Sequence, residues 1–327
     1  MSRSRFGSTE GAMYQGEILI TAPVEQRLDA ALAQSYVVHR LWLAHDKAAF
    51  LASIADRVRV VVTRSVIGAD RALMTALPKL ELIAIFGVGL DAIDFVAARE
   101  RGIRVTNTPD VLTADTADYG IALLLALARK IVAGDRFVRQ GKWQQGLLPN
   151  STRVHGKRLG IVGLGRIGEG VARRAAAFSL DVSYTGPRAK PGKPWTYVPS
   201  LVALARQVDF LVLTCPGGPE TSKIVNAEVL RALGPEAFLI NIARASVVDH
   251  AALIAALANG TIKGAALDVF ENEPEVPAAL LGMDNVILEP HIASTTVETR
   301  AAIGDLVLAN VAAHLAGEPL PSPVEDR

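Results

Sequence analysis

Cysteine occurs once in the 327 residues, at Cys215. A lone thiol closes no intrachain disulfide, which excludes a disulfide-stapled scaffold and points to a reducing, cytoplasmic setting. Aromatic residues make up only 5% of a chain that is 50% hydrophobic, so Ala, Val, Leu and Ile must build the core. Layered α/β packing suits that composition. Charge of one sign is equally scarce. The formal net charge is +1, with no basic block, which argues against nucleic acid as the main partner. No apolar run approaches the roughly 18 residues of a membrane span, so no membrane partner is expected. Residues 1–16 are polar and lack the apolar stretch of a signal peptide. There is no internal repeat, and no metal site is expected.

What the chain does have is a glycine-rich stretch between Val154 and Gly168. Leu159 to Val162 is an apolar run expected to form a strand buried on both faces of a parallel sheet. Gly163, Gly165 and Gly168 follow at G-x-G-x-x-G spacing, with Leu164, Arg166 and Ile167 between them, and 171–178 has the composition of a helix. In such a unit the first glycine makes the tight turn and the second lets backbone approach a pyrophosphate. The third lets helix and strand pack closely. The helix N-terminus adds unpaired N–H groups and a partial positive charge. A second strand at 181–184 closes the unit. Dinucleotide binding is the expectation; a strand-to-helix turn with no ligand is the alternative.

Alternation of strand and helix patterns runs through the rest. Strands are expected at 17–22, 36–43, 58–63, 80–86 and 103–106, and again at 209–214, 237–242, 264–269 and 286–288. A long helix is expected from Thr113 to Val132, apolar all round in its middle and therefore buried in a large core or between subunits. A polar excursion from Gly134 to Leu148 follows, carrying Trp143, and a last helix covers 298–316. Length and alternation together predict two α/β domains.

Open parallel sheets bind ligands outside the carboxyl ends of their strands. Gly87-Val88-Gly89 lies at one such end, either an anion nest of backbone N–H groups or a plain strand-to-helix turn. At the end of the second cofactor strand an NAD site usually places an acid on the ribose 2′-OH. Here Gly186 stands there, with Arg188 and Lys190 close behind. Losing the carboxylate removes repulsion of a 2′-phosphate and the cations attract it, so NADP(H) is favoured, with NAD(H) the other option. The competing explanation is a merely solvated loop.

A nicotinamide cofactor exchanges a hydride, leaving the protein to supply a proton and hold the substrate carbonyl. An imidazole titrates near neutrality and suits the proton transfer. A carboxylate on its other nitrogen fixes the tautomer and favours the charged form. A guanidinium grips a carboxylate and carbonyl in a planar fork. His291, Glu273 and Arg244 are the best candidates, each just past a strand of the cofactor domain, as is Asp268. His155 precedes the first cofactor strand and His250 opens a helix, so neither competitor faces the crevice. His39, His45 and His314 are read as structural or solvated.

From about residue 17 to 318 the chain resembles the D-isomer-specific 2-hydroxyacid dehydrogenase family. The resemblance rests on Gly87 to Asp94, Val111 to Asp118, the central glycines, Asn241 to Asp249, Ala266 to Pro274 and Pro290 to Thr295. In detail it is most similar to the bacterial glyoxylate/hydroxypyruvate reductase branch. The resemblance implies that Arg244 orients substrate, Glu273 supports the histidine and His291 is the acid/base. It gives the substrate carboxylate to the amides of Val88 and Gly89, and the nicotinamide carboxamide to Asp268. Thr116 would lie near the nicotinamide half and Ile242 would contact cofactor. Leu164 to Ile167 would wrap the pyrophosphate, with Cys215 and Pro216 lining the adenosine side, which overrides a redox reading of Cys215.

The implied fold is two doubly wound parallel-sheet domains. A Rossmann cofactor domain (108–293) is inserted into a flavodoxin-like substrate domain (17–107 and 294–318), with 1–16 and 319–327 as disordered tails. The implied assembly is a homodimer through the long helix and the excursion after it, where Trp143 is either a reach into the partner's pocket or an interface or core aromatic. The implied reaction is NADPH-dependent reduction of a small 2-oxo acid to the D-2-hydroxy acid, with glyoxylate and hydroxypyruvate first. The rivals are an NAD-linked D-lactate, 2-ketogluconate or phosphoglycerate dehydrogenase, and a cofactor-sensing corepressor-like binding protein. Two positions depart from the family pattern: Ala245 replaces the usual Gly after the arginine, and Gly186 the usual acid. Glu273 separates the chain from formate dehydrogenase relatives, which carry Gln there.

Overall fold

The computed structural model describes residues 16–325 and divides into two compact units, cut at Pro109/Asp110 and Thr299/Arg300. The sequence-based cuts lie at 107/108 and 293/294. The first unit begins β1 (Glu17–Ile20), α1 (Gln26–Ser35), β2 (Val38–Arg40), α2 (Lys47–Ile54) and β3 (Val58–Arg64). It continues with α3 (Arg71–Ala76), β4 (Leu82–Phe86), α4 (Phe95–Glu100) and β5 (Arg104–Thr106). Its strands pair in the order β2-β1-β3-β4-β5, all parallel. That is the flavodoxin-like doubly wound order. The β-branched run of β3 has no wet face: Val58, Val60, Val61 and Val62 are fully buried. Helix starts are fixed locally, with Glu25, Asp46, Asp70 and Asp94 accepting amides of the first turns of α1 to α4.

The second unit opens with α5 (Thr113–Ala128) and α6 (Ile131–Arg139), then β6 (Arg158–Val162), α7 (Arg166–Ala177), β7 (Asp181–Thr185) and β8 (Thr196–Tyr197). After these come α8 (Leu201–Ala205), β9 (Phe210–Leu213), α9 (Ala227–Leu233), β10 (Phe238–Asn241), α10 (His250–Ala258), β11 (Gly264–Leu267), α11 (Ala278–Leu281) and β12 (Val286–Leu288). The order β12-β11-β10-β9-β6-β7-β8 is a Rossmann sheet with one strand added, parallel throughout. Its topology reverses between β6 and β9, at the glycine motif. One hydrophobic cluster joins α5 and α7 to the sheet; a second joins α8, α9 and α10 to it. Helix α12 (Val297–Ala316) returns the chain to the first unit.

Three expectations need correction. The helix expected over 113–132 stops at Ala128, because Lys130 takes a left-handed conformation (φ 55°) and starts a new helix at Ile131. The segment read as a polar excursion therefore contains α6 and a short helical turn at Lys142–Gln144. The strand expected over 36–43 closes after Arg40 into another such turn, Leu41–Leu43. As far as it is described, the tail expected to be disordered from 319 is packed. Ser322 is buried and bonded to Asn310 and the Asn107 carbonyl, and the Val324 amide donates to Val105 O. Residues 1–15, 326 and 327 lie outside the described residues.

Candidate active site and cofactor cradle

The glycine motif sits where β6 hands over to α7. Gly163 has φ 95°, and a Cβ there would lie 2.7 Å from the Cα of Cys215, so no side chain fits where the turn crosses the end of β9. A Cβ on Gly168 would meet the Gly163 carbonyl at 2.3 Å, which is the close helix-on-strand approach the spacing predicts. Gly165 differs: nothing lies within 4 Å of a Cβ there. It leads into α7, whose N-terminus carries no side-chain cap. Open space before a twelve-residue helix with uncapped N–H groups fits a pyrophosphate.

Around this turn the sequence-named neighbours are distributed as follows. Leu164 is buried. Arg166 is exposed and ion-paired with Asp110 at 2.8 Å, and Ile167 packs against the core cluster. Thr116 is buried in α5 with its hydroxyl donating to Leu112 O at 2.8 Å. Ile242 is buried against α5, its Cδ1 filling the space a side chain on Gly120 would need. Burial pushes the Cys215 thiol up to about 11, which makes it a poor nucleophile. Pro216 beside it is exposed.

Past β7 the chain makes an exposed turn. Leu164, Tyr184, Gly186, Pro187, Arg188 and Lys190 line a cavity of about 300 Å³ there. Among the described residues neither Arg188 nor Lys190 has an acidic partner, and no carboxylate stands at the strand end.

The chemistry-bearing side chains gather at the carboxyl ends of β10, β11 and β12. Asn241, fully buried, pins the turn after β10: its Oδ1 accepts the Ala243 amide and its Nδ2 donates to Arg244 O, both at 3.0 Å. Arg244 donates from Nη1 to Ala243 O at 2.7 Å. Its charge also acts on Glu273. Past β11, the Phe270 amide donates to Glu273 Oε1 at 3.1 Å. Past β12, His291 places Nδ1 at 2.9 and 2.8 Å from the two Glu273 oxygens. A carboxylate only accepts, so Nδ1 carries the proton and Nε2 is left as the reactive nitrogen. Burial raises the Glu273 carboxyl, but His291, the Phe270 amide and Arg244 outweigh it and hold it below its ordinary value.

His291 occupies a left-handed conformation (φ 57°), uncommon for a residue that carries a Cβ and costly unless the surroundings fix it. Asp268 does the fixing. Only 1% exposed, it accepts the amides of Ile292 at 2.8 Å and Ala293 at 3.0 Å. Burial pushes its carboxyl up to about 6, opposed by those two amides. Burial, followed by the nearby Glu289 carboxylate, raises the pKa of Tyr119 on α5. Of the other histidines considered, His155 is exposed before β6, and His250 is buried at the start of α10 with neither ring nitrogen hydrogen-bonded.

The first unit holds a separate group. After β4, Gly87 takes φ 134°, where a Cβ would strike Ser65 Oγ at 2.3 Å. Its carbonyl accepts the Thr108 amide, and Asn107 Nδ2 donates to Val88 O at 3.0 Å. Among the described residues the amides of Val88 and Gly89 have no acceptor, and the buried hydroxyls of Ser65 and Thr108 have no partner.

Asn241 and Tyr119 are the residues that sequence reasoning passed over. Asn241 lay inside a quoted motif, and an Asn at a strand end before a turn is a signal for side-chain pinning of the backbone. Nothing in the local pattern marks Tyr119, whose partner is 170 positions away.

Residues 121–293 match the family described as D-isomer specific 2-hydroxyacid dehydrogenase, NAD binding domain. A hydroxyphenylpyruvate reductase of Plectranthus scutellarioides is 48% identical over 94% of this chain and 98% of its own. The glyoxylate/hydroxypyruvate reductase A HPR2 of Arabidopsis thaliana is 46% identical over the same shares. Among solved structures, an NADPH-dependent glyoxylate/hydroxypyruvate reductase of Sinorhizobium meliloti, in complex with NADP and malonate, superposes with a TM-score of 0.90. It is 43% identical, over 95% of this chain and 97% of that one.

Proposed function

The chain belongs to the D-isomer-specific 2-hydroxyacid dehydrogenase family, and from that premise we propose that it reduces small 2-oxo acids, glyoxylate and hydroxypyruvate first, to D-2-hydroxy acids with NADPH. The observation that carries the reading is the His291–Glu273 pair, with Nδ1 committed to the carboxylate and Nε2 left for substrate. NADPH, when bound, supplies a hydride to the substrate's C2. Arg244 holds the substrate's carbonyl and carboxylate and polarises C2. The Val88 and Gly89 amides offer a carboxylate two N–H donors. His291, as imidazolium, gives its Nε2 proton to the carbonyl oxygen and is left neutral. Glu273 stabilises the imidazolium before that transfer and keeps the tautomer afterwards.

The cofactor is assigned to Gly163 through Gly168, Thr116, Cys215, Pro216 and Ile242, with the carboxamide given to the remaining lone pairs of Asp268. Arg188 and Lys190 receive the 2′-phosphate, which is what favours NADP(H) over NAD(H). We assign the cofactor role to the second unit. The working form is a cytoplasmic homodimer. What supports the dimer is the segment of α6 and the turn after it, none of it buried, which exposes Ile131, Val138, Trp143 and Leu147.

A spectrophotometric screen at about 340 nm, with NADPH and NADH against 2-oxo acids including 4-hydroxyphenylpyruvate and 2-ketogluconate, tests this reading, reduced nicotinamide being the reporter. Fastest turnover of glyoxylate or hydroxypyruvate with NADPH is the expected result. Preference for NADH removes the phosphate assignment, and cofactor binding without turnover favours a sensing protein.

A further inference from the structure

The turn after β7 is tied down by two tyrosines, neither of which the function above employs. Tyr184, in β7, is 2% exposed, and its hydroxyl accepts the Lys190 amide at 2.7 Å. Tyr197, in β8, donates its hydroxyl to the Gly186 carbonyl at 3.0 Å. Gly186 and Lys190 are the first and last residues of the segment that carries Arg188 at its centre. Among the described residues these are its only main-chain hydrogen bonds.

The two rings support one another. β8 is only two residues long and pairs with β7 at Tyr184↔Tyr197 and Ser183↔Thr196. The ring centroids of Tyr184 and Tyr197 lie 5.4 Å apart. Between the two strands the chain has Pro187, Pro191 and Pro194, which restrict its conformations in any state. Further along, Lys193 pairs with Glu169 of α7 at 2.7 Å. The loop is thus held by the strand before it, the strand after it and the helix that begins at the glycine motif.

We propose that Tyr184 and Tyr197 are positioning residues that preset the Gly186–Lys190 turn for a 2′-phosphate. This rests on the assignment of that phosphate to Arg188 and Lys190. An exposed turn of this length with no hydroxyl anchors would sample many shapes and lose that freedom on binding. With both ends fixed, the cationic side chains flank the cavity before the ligand arrives. The tyrosines touch no reacting atom, and they contribute to selection between two cofactors that differ by one phosphate.

The test uses full-length Tyr184→Phe, Tyr197→Phe and the double variant, with isothermal titration of 2′,5′-ADP and 5′-AMP. Phenylalanine keeps both rings and removes only the hydroxyls. Each single change should weaken 2′,5′-ADP about fivefold, the usual worth of one net hydrogen bond, and the pair about 20-fold. Binding of 5′-AMP should stay within about twofold, because it lacks the group the turn is shaped for. Equal weakening of both nucleotides would show that the hydroxyls only support the fold, and unchanged 2′,5′-ADP binding would remove the idea outright. If the unaltered protein binds 2′,5′-ADP no tighter than 5′-AMP, the phosphate assignment fails and this inference with it. If the unaltered protein discriminates and the double variant discriminates equally, the positioning role alone is lost.

Discussion

Asp268 accepts the amide of Ile292 at 2.8 Å, one residue beyond His291. Its second oxygen takes Ala293, so one buried carboxylate holds the backbone that carries His291 in a left-handed turn. Asp268→Asn keeps the size but sets an NH₂ group against one of those amides. We expect a loss of about 1–3 kcal/mol in stability, the cost of leaving a buried donor unsatisfied. Turnover should fall further than stability accounts for, because the ring of His291 is no longer aimed. Chemical denaturation alongside kcat at saturating cofactor checks both. Unchanged kcat in a folded variant would show that the turn holds without this carboxylate.

Glu273→Gln separates charge from geometry at the histidine. Glutamine can still accept from Nδ1, so the ring stays oriented while the counter-ion is gone. A fall in kcat/KM of about 10²-fold is expected, within the range for a positioned acid or base. His291→Gln should cost about 10²–10⁴-fold in turnover. Cofactor affinity is expected to survive both changes, since neither side chain is assigned to the dinucleotide. Equal activity of wild type and H291Q would withdraw the acid role.

Arg188→Ala should weaken NADPH by about 10–100-fold, the worth of a charge-assisted bond to phosphate, and leave NADH within about twofold. Raising salt should weaken NADPH more than NADH in the wild type, because Arg188 is exposed and screened. Equal loss for the two cofactors would mean that the cation serves the loop rather than the ligand.

The parts of this molecule that were legible in its sequence are those where chemistry forces a residue type. Only glycine satisfies φ 95° against the Cys215 backbone, so the Gly163 turn announces itself. Parallel strands covered on both faces read as apolar runs, and β3 could hardly be missed. The pairing of His291 with Glu273 was expected because few side chains suit proton transfer, and the two stand within hydrogen-bond distance. What stayed hidden depends on distant partners or on a single dihedral. Lys130 breaks the helix through its own backbone dihedrals, and lysine is itself a good helix former, so no local propensity marks it. The tail is ordered through Asn310 and Thr106, contacts that its proline-rich composition does not suggest. The role of Asp268 on the His291 turn spans 24 positions and runs through main chain, which carries no sequence signal.

The exposed apolar side chains of α6 and the turn after it make the assembly testable. Val138→Lys combined with Leu147→Glu places charge on two positions that are 56% and 87% exposed, so the monomer fold should be almost unaffected. Sedimentation velocity should show a shift from dimer to monomer. A dimer that persists would place the interface on another surface.

His314 gives the first unit a pH dependence of known sign. The ring is 7% exposed; Nδ1 faces a guanidinium N–H of Arg104, and Nε2 lies 3.1 Å from Glu81. Nδ1 must therefore accept and Nε2–H donate, which is the neutral ring with a fixed tautomer. A second proton would set N–H against N–H. Burial, then the Arg104 charge, lowers the His314 pKa in spite of Glu81, with Arg59 acting in the same direction as Arg104. The Glu81 carboxyl is itself held low, chiefly by its bond to Arg59. A histidine depressed by folding contributes stability above its unfolded value of 6.5, and that contribution is lost as pH falls from there toward the folded value. The melting temperature should therefore drop as pH is lowered below 6.5, and again below 4.5 as Glu81 gains its proton. In His314→Gln the amide oxygen can accept from Arg104 and the NH₂ can donate to Glu81, with nothing left to titrate. Its melting temperature should change less than that of the wild type between pH 6.5 and 4.5. Parallel curves for the two proteins over that interval would show that this histidine takes no part in the acid response.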